Sequence, residues 1–340
     1  MIAYERGKNL DYVDYFLDNK DMTLRLTLAD VACEEDFPFY CGKTCLRKPY
    51  PEHSHAYTEI VVITAGHGRH CIDHRDYEIG AGDVYVLYGN TVHGFPEVKE
   101  LELFNVMFKW GAPLLDRDEF LILPGYQALF HWEPNYRQQH AFRSHMKLSP
   151  KGLAGLEAML NRLEHEYRAQ TVGYRLLCRA LLHELVIELC RAYPGTQQYA
   201  EAHEIMRLAR VTAYMEEHFT QALKIEQLAR MACFSPRHFI RVFARVYGVT
   251  PGRYLEQRRV REACRLLSKY PEMSIAEVAT NCGYRDSNFF SRQFREFMGM
   301  PPREYRRVGI RMEGPIAPFS ASRGNPGSSL AGKPKPPGRD

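Results

Sequence analysis

Three histidines and a glutamate, His53, His55, Glu59 and His93, are the first residues whose types and spacing suggest chemistry. Three of them occur in HSHAYTE, and His93 follows a Gly82-Asp83 turn and a strand-forming run. Positions 53, 55 and 59 share parity, so on a strand all three side chains point to one side. His93 would join them from another strand. Three imidazoles and a carboxylate suit a first-row divalent transition metal. The same groups suit direct hydrogen bonds to a polar small molecule, or a polar network satisfied within a core.

A second set lies far along the chain and occurs twice. IEQLARMACFSPRHFIRVFARVYGVTPGRY, from Ile225, is matched by IAEVATNCGYRDSNFFSRQFREFMGMPPREY, from Ile275. Ile225, Leu228, Ala229 and Phe234 correspond to Ile275, Val278, Ala279 and Tyr284. After one inserted residue, Phe239, Arg241, Phe243, Gly248, Pro251 and Tyr254 correspond to Phe290, Arg292, Phe294, Gly299, Pro302 and Tyr305. So many residue types in register mean one supersecondary unit used twice. Each copy has the parts of a helix-turn-helix: a short apolar-faced helix, a turn at Ala232–Phe234, then Ser235 as N-cap and Pro236 at the first helical position. The second helix buries Phe239 and Phe243, and Gly248 ends it. In the second copy Asp286 caps the helix, and Phe290, Phe294 and Phe297 face inward.

The outward faces are the chemically interesting ones. They carry Arg237, His238, Ile240 and Arg241 in the first copy and Ser287, Asn288, Ser291 and Arg292 in the second. A helix start bearing arginine fits the major groove of duplex DNA, where the guanidinium bonds guanine O6 and N7 together. Plain solvation explains one such helix, but it explains two copies in a basic segment poorly. From Glu204 to Val308 the formal net charge is +8, whereas from Met1 to His203 it is −7, so only the second half should meet a polyanion.

The elements that position these residues follow from periodicity. Residues 20–110 read as β structure, with TEIVVIT, HCIDH, YEIGAG, DVYVLY and LELFNVMF as short strands between Gly, Asp and Asn turns. Residues 111–148 show several aromatics and no clear period. Leu153, Leu156, Leu160, Leu163 and Tyr167, then Tyr174, Leu177, Leu181, Leu185 and Leu189, mark a helical hairpin whose apolar faces could cover the β domain or pair two chains. The expected layout is a multidomain α+β chain: an all-β barrel domain in 1–148, the hairpin in 149–193 and a linker in 194–203. An all-α DNA-binding domain in 204–308 and a disordered tail in 309–340 complete it. Nine scattered cysteines without a CxxC pair fit reduced thiols of a cytoplasmic protein. The charged start is unlike a secretory signal, and no apolar run reaches membrane-spanning length.

The repeat, over Glu204–Arg307, resembles the AraC/XylS family of transcription regulators. Its strongest part is Ser274-Ile275-Ala276-Glu277-Val278-Ala279, Cys282-Gly283-Tyr284, Phe290-Ser291-Arg292-Gln293-Phe294, and Gly299-Met300-Pro301-Pro302 through Tyr305-Arg306. Pro301 stands where the family often has Thr, at the end of the unit. The His/Glu spacing is similar to the two motifs of the cupin barrel, with Tyr88 and Asn90 in place of the usual proline and glycine. TEIVVITAGHGRH, GAGDVYVLYGNTVHGF and LELFNVMF resemble the rhamnose-type regulators in particular.

The resemblance implies a cupin-like domain sensing a small, sugar-like effector at His53, His55, Glu59 and His93. It implies Arg237, His238, Ile240, Arg241, Ser287, Asn288, Ser291 and Arg292 as DNA-reading residues. It further implies a homodimeric activator on double-stranded promoter DNA, in contact with RNA polymerase and not with a membrane. Such a protein is not an enzyme and requires no cofactor, a divalent transition metal in the cupin domain being the one candidate. The competing readings are a metal-dependent cupin enzyme fused to a DNA-binding module, and constitutive DNA binding with a purely structural barrel. If Arg241 reads a base, Arg241→Ala costs about 1–3 kcal/mol and relaxes preference at one position of the site. An equal loss on all sequences, measured by binding to a panel of single-base variants, would contradict that role.

Overall fold

Alternating apolar residues between 39 and 108 build an antiparallel sheet, and the described residues C-terminal to it are mostly helical. The computed structural model describes residues 24–26, 36–55, 57–87, 91–109, 117–139, 145–193 and 200–308. The strands are β1 (Leu24–Leu26), β2 (Phe39–Leu46), β3 (Tyr50–His55), β4 (Thr58–Ile72), β5 (Arg75–Gly80), β6 (Asp83–Leu87), β7 (His93–Phe108) and β8 (Met146–Lys147). They run in the order β1-β3-β7-β4-β6-β8, with β2 also on β7 and β5 on β4. Only the β1–β3 pair is parallel.

TEIVVIT and the His70–Ile72 part of HCIDH, expected as separate strands, belong to the single strand β4. Gly66 bends that strand without ending it. Its φ is +75°, and a Cβ there would come within 2.0 Å of the Glu100 carbonyl oxygen on β7. The pairing with β7 shifts register on both sides of this point, which is how a bulge turns a long strand. One face of the sheet, with Ile60, Val62, Val84, Val86, Phe104 and Val106, packs against helices. Val61, Ile63, Tyr85, Leu87, Leu101 and Leu103 form a separate cluster on the other face.

The aromatic stretch without a period is helical: α1 (Arg117–Phe120), α2 (Pro124–Gln127), a π-helical turn (Ala128–Trp132) and α3 (Glu133–Gln139). The extra residue in the π turn disrupts the 3.6-residue pattern, which is why sequence periodicity missed it. The hairpin follows as α4 (Pro150–Ala169) and α5 (Tyr174–Ala192). Ser149 caps α4 by accepting a hydrogen bond from the Gly152 N–H, 3.2 Å away. Leu156, Leu160, Leu163, Tyr167, Leu181, Leu185 and Leu189 are buried within the chain, against the sheet and each other. The apolar faces considered for pairing two chains are thus used internally, and Val172 and Leu176 at the hairpin tip stay exposed.

The C-terminal region consists of α6 (Ala200–Glu217), α7 (Ile225–Met231), α8 (Pro236–Tyr247), α9 (Pro251–Lys269), α10 (Ile275–Asn281), α11 (Ser287–Met298) and α12 (Pro302–Val308). Residues 200–203, read as linker, are helical, while 194–199, the tail 309–340, Tyr88 and Asn90 lie outside the described residues. The repeated caps are as expected: Ser235 accepts from the His238 N–H, Asp286 from the Phe289 N–H, and Gly248 and Gly299 close their helices at φ +71° and +74°.

The two units differ in what they pack against. Phe239, Val242, Phe243 and Val246 of the first belong to the same hydrophobic core as the sheet, the π turn and the hairpin. Phe290, Phe294, Val278 and Tyr305 of the second form a core of their own. Trp132, in the π turn, joins the first unit to the N-terminal domain. Its ring lies 6.1 Å from Phe243 and 5.3 Å from Tyr247, both edge-on, and its indole N–H donates to Thr212 Oγ1 at 3.3 Å. Tyr247 O–H donates to Gln127 Oε1 at 2.9 Å, and Tyr136 O–H to Glu204 Oε1 at 2.7 Å.

Phe243→Ala therefore costs about 3–5 kcal/mol, and the loss appears in urea unfolding of the N-terminal domain. Phe290→Ala, chemically equivalent but in the separate core, leaves that midpoint in place. Fluorescence of a Trp110→Phe background, which leaves Trp132 as the reporter, distinguishes the two urea curves.

Candidate effector site and DNA-reading face

His53 and His55 project from the end of β3, Glu59 from the start of β4 and His93 from the start of β7. The expectation of one strand carrying 53, 55 and 59 is corrected here. β3 ends at His55 and β4 begins at Thr58, and Glu59 faces the cluster through the alternation of β4, alongside Val61 and Ile63. All four side chains are nonetheless brought together and buried, with one ligand atom from each lying within 4.8 Å of the others.

The hydrogen bonds decide how the rings present themselves. A backbone carbonyl only accepts, so His55 Nδ1–H donates to the Tyr57 carbonyl at 3.0 Å and His53 Nδ1–H to the Pro51 carbonyl at 3.2 Å. The Nε2 atoms of these rings, when neutral, carry lone pairs. His55 Nε2 lies 2.9 Å from Glu59 Oε2 and 3.1 Å from His93 Nε2, and Glu59 Oε2 lies 3.2 Å from His93 Nε2. Lone pairs aimed at one another and at a carboxylate repel. A positive centre among them, either a proton or a metal cation, makes the arrangement attractive. Carbonyl-fixed Nδ1–H tautomers with converging Nε2 atoms are what metal-binding histidines use, so the residues present fit a divalent transition metal.

The titration of the cluster follows from burial. Burial, then the neighbouring His93, lowers His53 to about 3. Burial also opposes ionisation of Glu59, but with a proton on the facing Nε2 atoms the hydrogen bonds from His55 and His93 outweigh it and hold the carboxyl well below its usual range. His70, absent from the sequence-derived set, stands behind His93. Its Nε2 is 3.2 Å from His93 Nδ1, its ring stacks on Phe95 at 4.4 Å, and its Nδ1 is buried without a hydrogen-bond partner. Position parity hides it: strict alternation over the eleven residues from Glu59 puts position 70 on the opposite face, and only the register shifts of β4 bring it to the same side.

A line of contacts leaves the cluster toward the helices. Tyr85 lies edge-on to His70 at 4.9 Å, and the Arg137 guanidinium lies 5.6 Å from the Tyr85 ring centre. Arg137 donates to the Val86 carbonyl at 2.7 Å and to Glu133 Oε1 at 2.6 Å, and Tyr193 O–H donates to Glu133 Oε2 at 2.8 Å. Glu133 and Arg137 are on α3, directly after the π turn that carries Trp132.

Arg237 and Arg241 are exposed on α8, with His238 and Ile240 half-buried beside them. Arg241 Nη2 lies 3.2 Å from His238 Nδ1, which steadies the guanidinium. On α11, Asn288 and Arg292 are exposed, and Ser287 and Ser291 are half-buried, the Ser291 hydroxyl donating to the Ser287 carbonyl at 2.8 Å. Every residue expected on a DNA-reading face thus lies on the outer side of its helix, away from Phe239, Phe243, Phe290 and Phe294.

Residues 39–186 match the AraC-like ligand binding domain, and residues 228–308 match a helix-turn-helix domain family. The chain belongs to the AraC family of transcription regulators. A transcriptional activator RhaR from Mannheimia succiniciproducens is 25% identical over 83% of this chain and 96% of its own length. A transcriptional activator RhaS from Escherichia fergusonii is 29% identical over 76% of this chain and 88% of its own. Among solved structures, the DNA-binding domain of AdpA in complex with a target DNA is 36% identical, covering 30% of this chain and 91% of that one, with a TM-score of 0.29. As an AraC-family member the chain is a DNA-binding transcription regulator under small-molecule control. Its relatives are named transcriptional activators over most of its length, so the enzyme reading falls away.

Buried histidines give this regulator a defined acid limb. His53 and His70 are both lowered in the folded chain, foremost by burial. Below the unfolded value near 6.5 the unfolded state therefore binds more protons, and stability falls with pH by about 1.4 kcal/mol per unit for each such group. In chelator, urea midpoints drop from pH 6.5 downward, and His70→Phe makes the slope shallower. Parallel slopes for the two proteins would contradict the assignment of His70.

Proposed function

We propose that this chain is a cytoplasmic transcription activator whose N-terminal domain binds a small, polar, sugar-like effector and passes its state to the DNA-binding domain through the π turn. The observation that carries this reading is the single core running from the sheet through Trp132 to Phe243 and Tyr247. A movement at the effector site that displaces α3 displaces Trp132, and with it the helix that bears Arg237 and Arg241. An effector works by favouring one of two such arrangements, so its leverage equals its difference in affinity for them.

His53, His55, Glu59 and His93 form the polar end of the effector site, and a divalent transition metal held there supplies the positive centre that the converging Nε2 lone pairs call for. Arg237, His238, Ile240 and Arg241 read one major groove, and Ser287, Asn288, Ser291 and Arg292 read the next, while the many other arginines supply phosphate contacts. The active form is a homodimer that contacts RNA polymerase. Because the hairpin faces are spent within the chain, the exposed Val172 and Leu176 are the apolar surface it leaves for pairing.

The test is a thermal-shift screen of the full chain, first stripped with chelator and then offered zinc or manganese with and without a panel of sugars. A ligand at a hundred times its dissociation constant adds about 2.7 kcal/mol. A stabilising ligand should also change promoter affinity by at least about fivefold in the wild type, and much less in Trp132→Ala. An effector whose influence on DNA binding survives Trp132→Ala would overturn the route through the π turn. Stabilisation by sugar without metal would leave the effector reading standing and remove the metal.

A further inference from the structure

The second DNA-binding unit has its own core, yet it does not hang free on α9. That helix belongs to both units: Tyr254 and Leu255 pack into the first core, and Val260, Ala263, Leu266 and Leu267 into the second. Two further sets of contacts, at opposite ends of the second unit, tie it to the first.

At one end stands Arg259. Its Nε–H donates to the Phe219 carbonyl at 2.7 Å and its Nη2 to the Gln221 carbonyl at 2.8 Å, both in the loop after α6. Its guanidinium meanwhile lies 5.4 Å from the ring centre of Tyr284, in the turn of the second helix-turn-helix. Gly283, the residue before, has φ +80°, and a Cβ there would come within 2.3 Å of the Thr220 carbonyl oxygen in the same loop. At the other end Arg253, at the start of α9, lies 3.7 Å above the Phe297 ring and donates to Glu296 Oε1 at 2.8 Å. Phe297 and Glu296 lie near the C-terminal end of the reading helix α11.

One contact would leave the unit free to pivot, whereas two separated ones also fix its rotation. The Arg253–Glu296 pair is exposed and weak by itself, but the stacked Phe297 strengthens it. Arg259 makes two charge-assisted bonds to backbone that cannot swing away.

We propose that Arg259, Arg253 and Gly283 are positioning residues that hold reading helices α8 and α11 at one offset, so that the chain accepts a single base-pair spacing between its two half-sites. The proposal rests on both helices entering DNA together. Half-sites in successive major grooves lie about 10–10.5 base pairs apart. One inserted pair moves the second half-site by about 3.4 Å and turns it by about 34°. A tethered unit follows that displacement, but a doubly clamped one has to break its clamps.

The test is selection of random duplexes by the full chain, followed by affinities for the selected site with one or two base pairs added or removed between its halves. The wild type should return two half-sites at one spacing and lose at least about tenfold on a single insertion. Arg259→Lys, Arg259→Ala and Arg253→Ala should keep the base preferences within each half-site while the insertion penalty falls below about threefold. A lysine keeps the charge but cannot reach both carbonyls, so it should behave as the alanine does. Variants that weaken every spacing equally would mark a merely structural role and overturn the proposal. So would a wild type that tolerates the insertion, a result that needs no variant to fold. Two half-sites at variable spacing would defeat the clamps alone, whereas a single half-site motif would defeat the two-reader premise and the spacing rule with it.

Discussion

The packing of the Trp132 indole against Phe243 and Tyr247 is the interaction on which the rest of the structure depends. Aromatic side chains bury large areas with defined geometry, so a cluster of this kind fixes relative position as well as adding stability. Through it the first DNA-binding unit ceases to be a domain on a linker and becomes part of the N-terminal body. The exposed ends of Arg237 and Arg241 then inherit their placement from the sheet and hairpin. The second unit inherits its placement from the first, through α9 and its flanking arginines.

A second constraint acts inside the N-terminal domain. Four ionisable side chains and His70 share a buried interior, where an isolated charge is costly and unpaired lone pairs repel. The protein satisfies the Nδ1 atoms of His53 and His55 with backbone carbonyls and leaves His55 Nε2 facing Glu59 and His93. That arrangement has two electrostatically distinct conditions, with and without a cation at its centre. From there His70, Tyr85 and Arg137 lead to α3, so a change in the cluster meets the element that carries Trp132. The buried cluster and the aromatic packing thus meet on the same short helical segment.

Much of this was legible in the residues. The two helix-turn-helix units, their caps at Ser235 and Asp286, the glycines at 248 and 299, and the inward phenylalanines follow from local rules that tertiary context did not override. The members of the His/Glu cluster were legible as well, although the single strand supposed to carry them was not: a shared parity concealed a strand end after His55. The π turn was hidden because its extra residue erases helical period, and His70 because bulges in β4 erase strand period. Those two irregular elements connect the His/Glu cluster to the first helix-turn-helix unit, and no periodic pattern announces them. The apolar hairpin faces, open in the sequence to a partner chain or to the sheet, were settled only by the buried environment of Leu156, Leu160 and Leu185.

The central claim, that one cooperative core unites the sheet domain with the first DNA-reading helix, is tested most directly by native-state hydrogen exchange on the full chain. Amides of α8 should share their opening free energy with those of α3 and the sheet, and should exchange more slowly than those of α11, which open with their own core. If α8 instead exchanged together with α11 and independently of the sheet, the two units would form one separate domain and the account would be wrong.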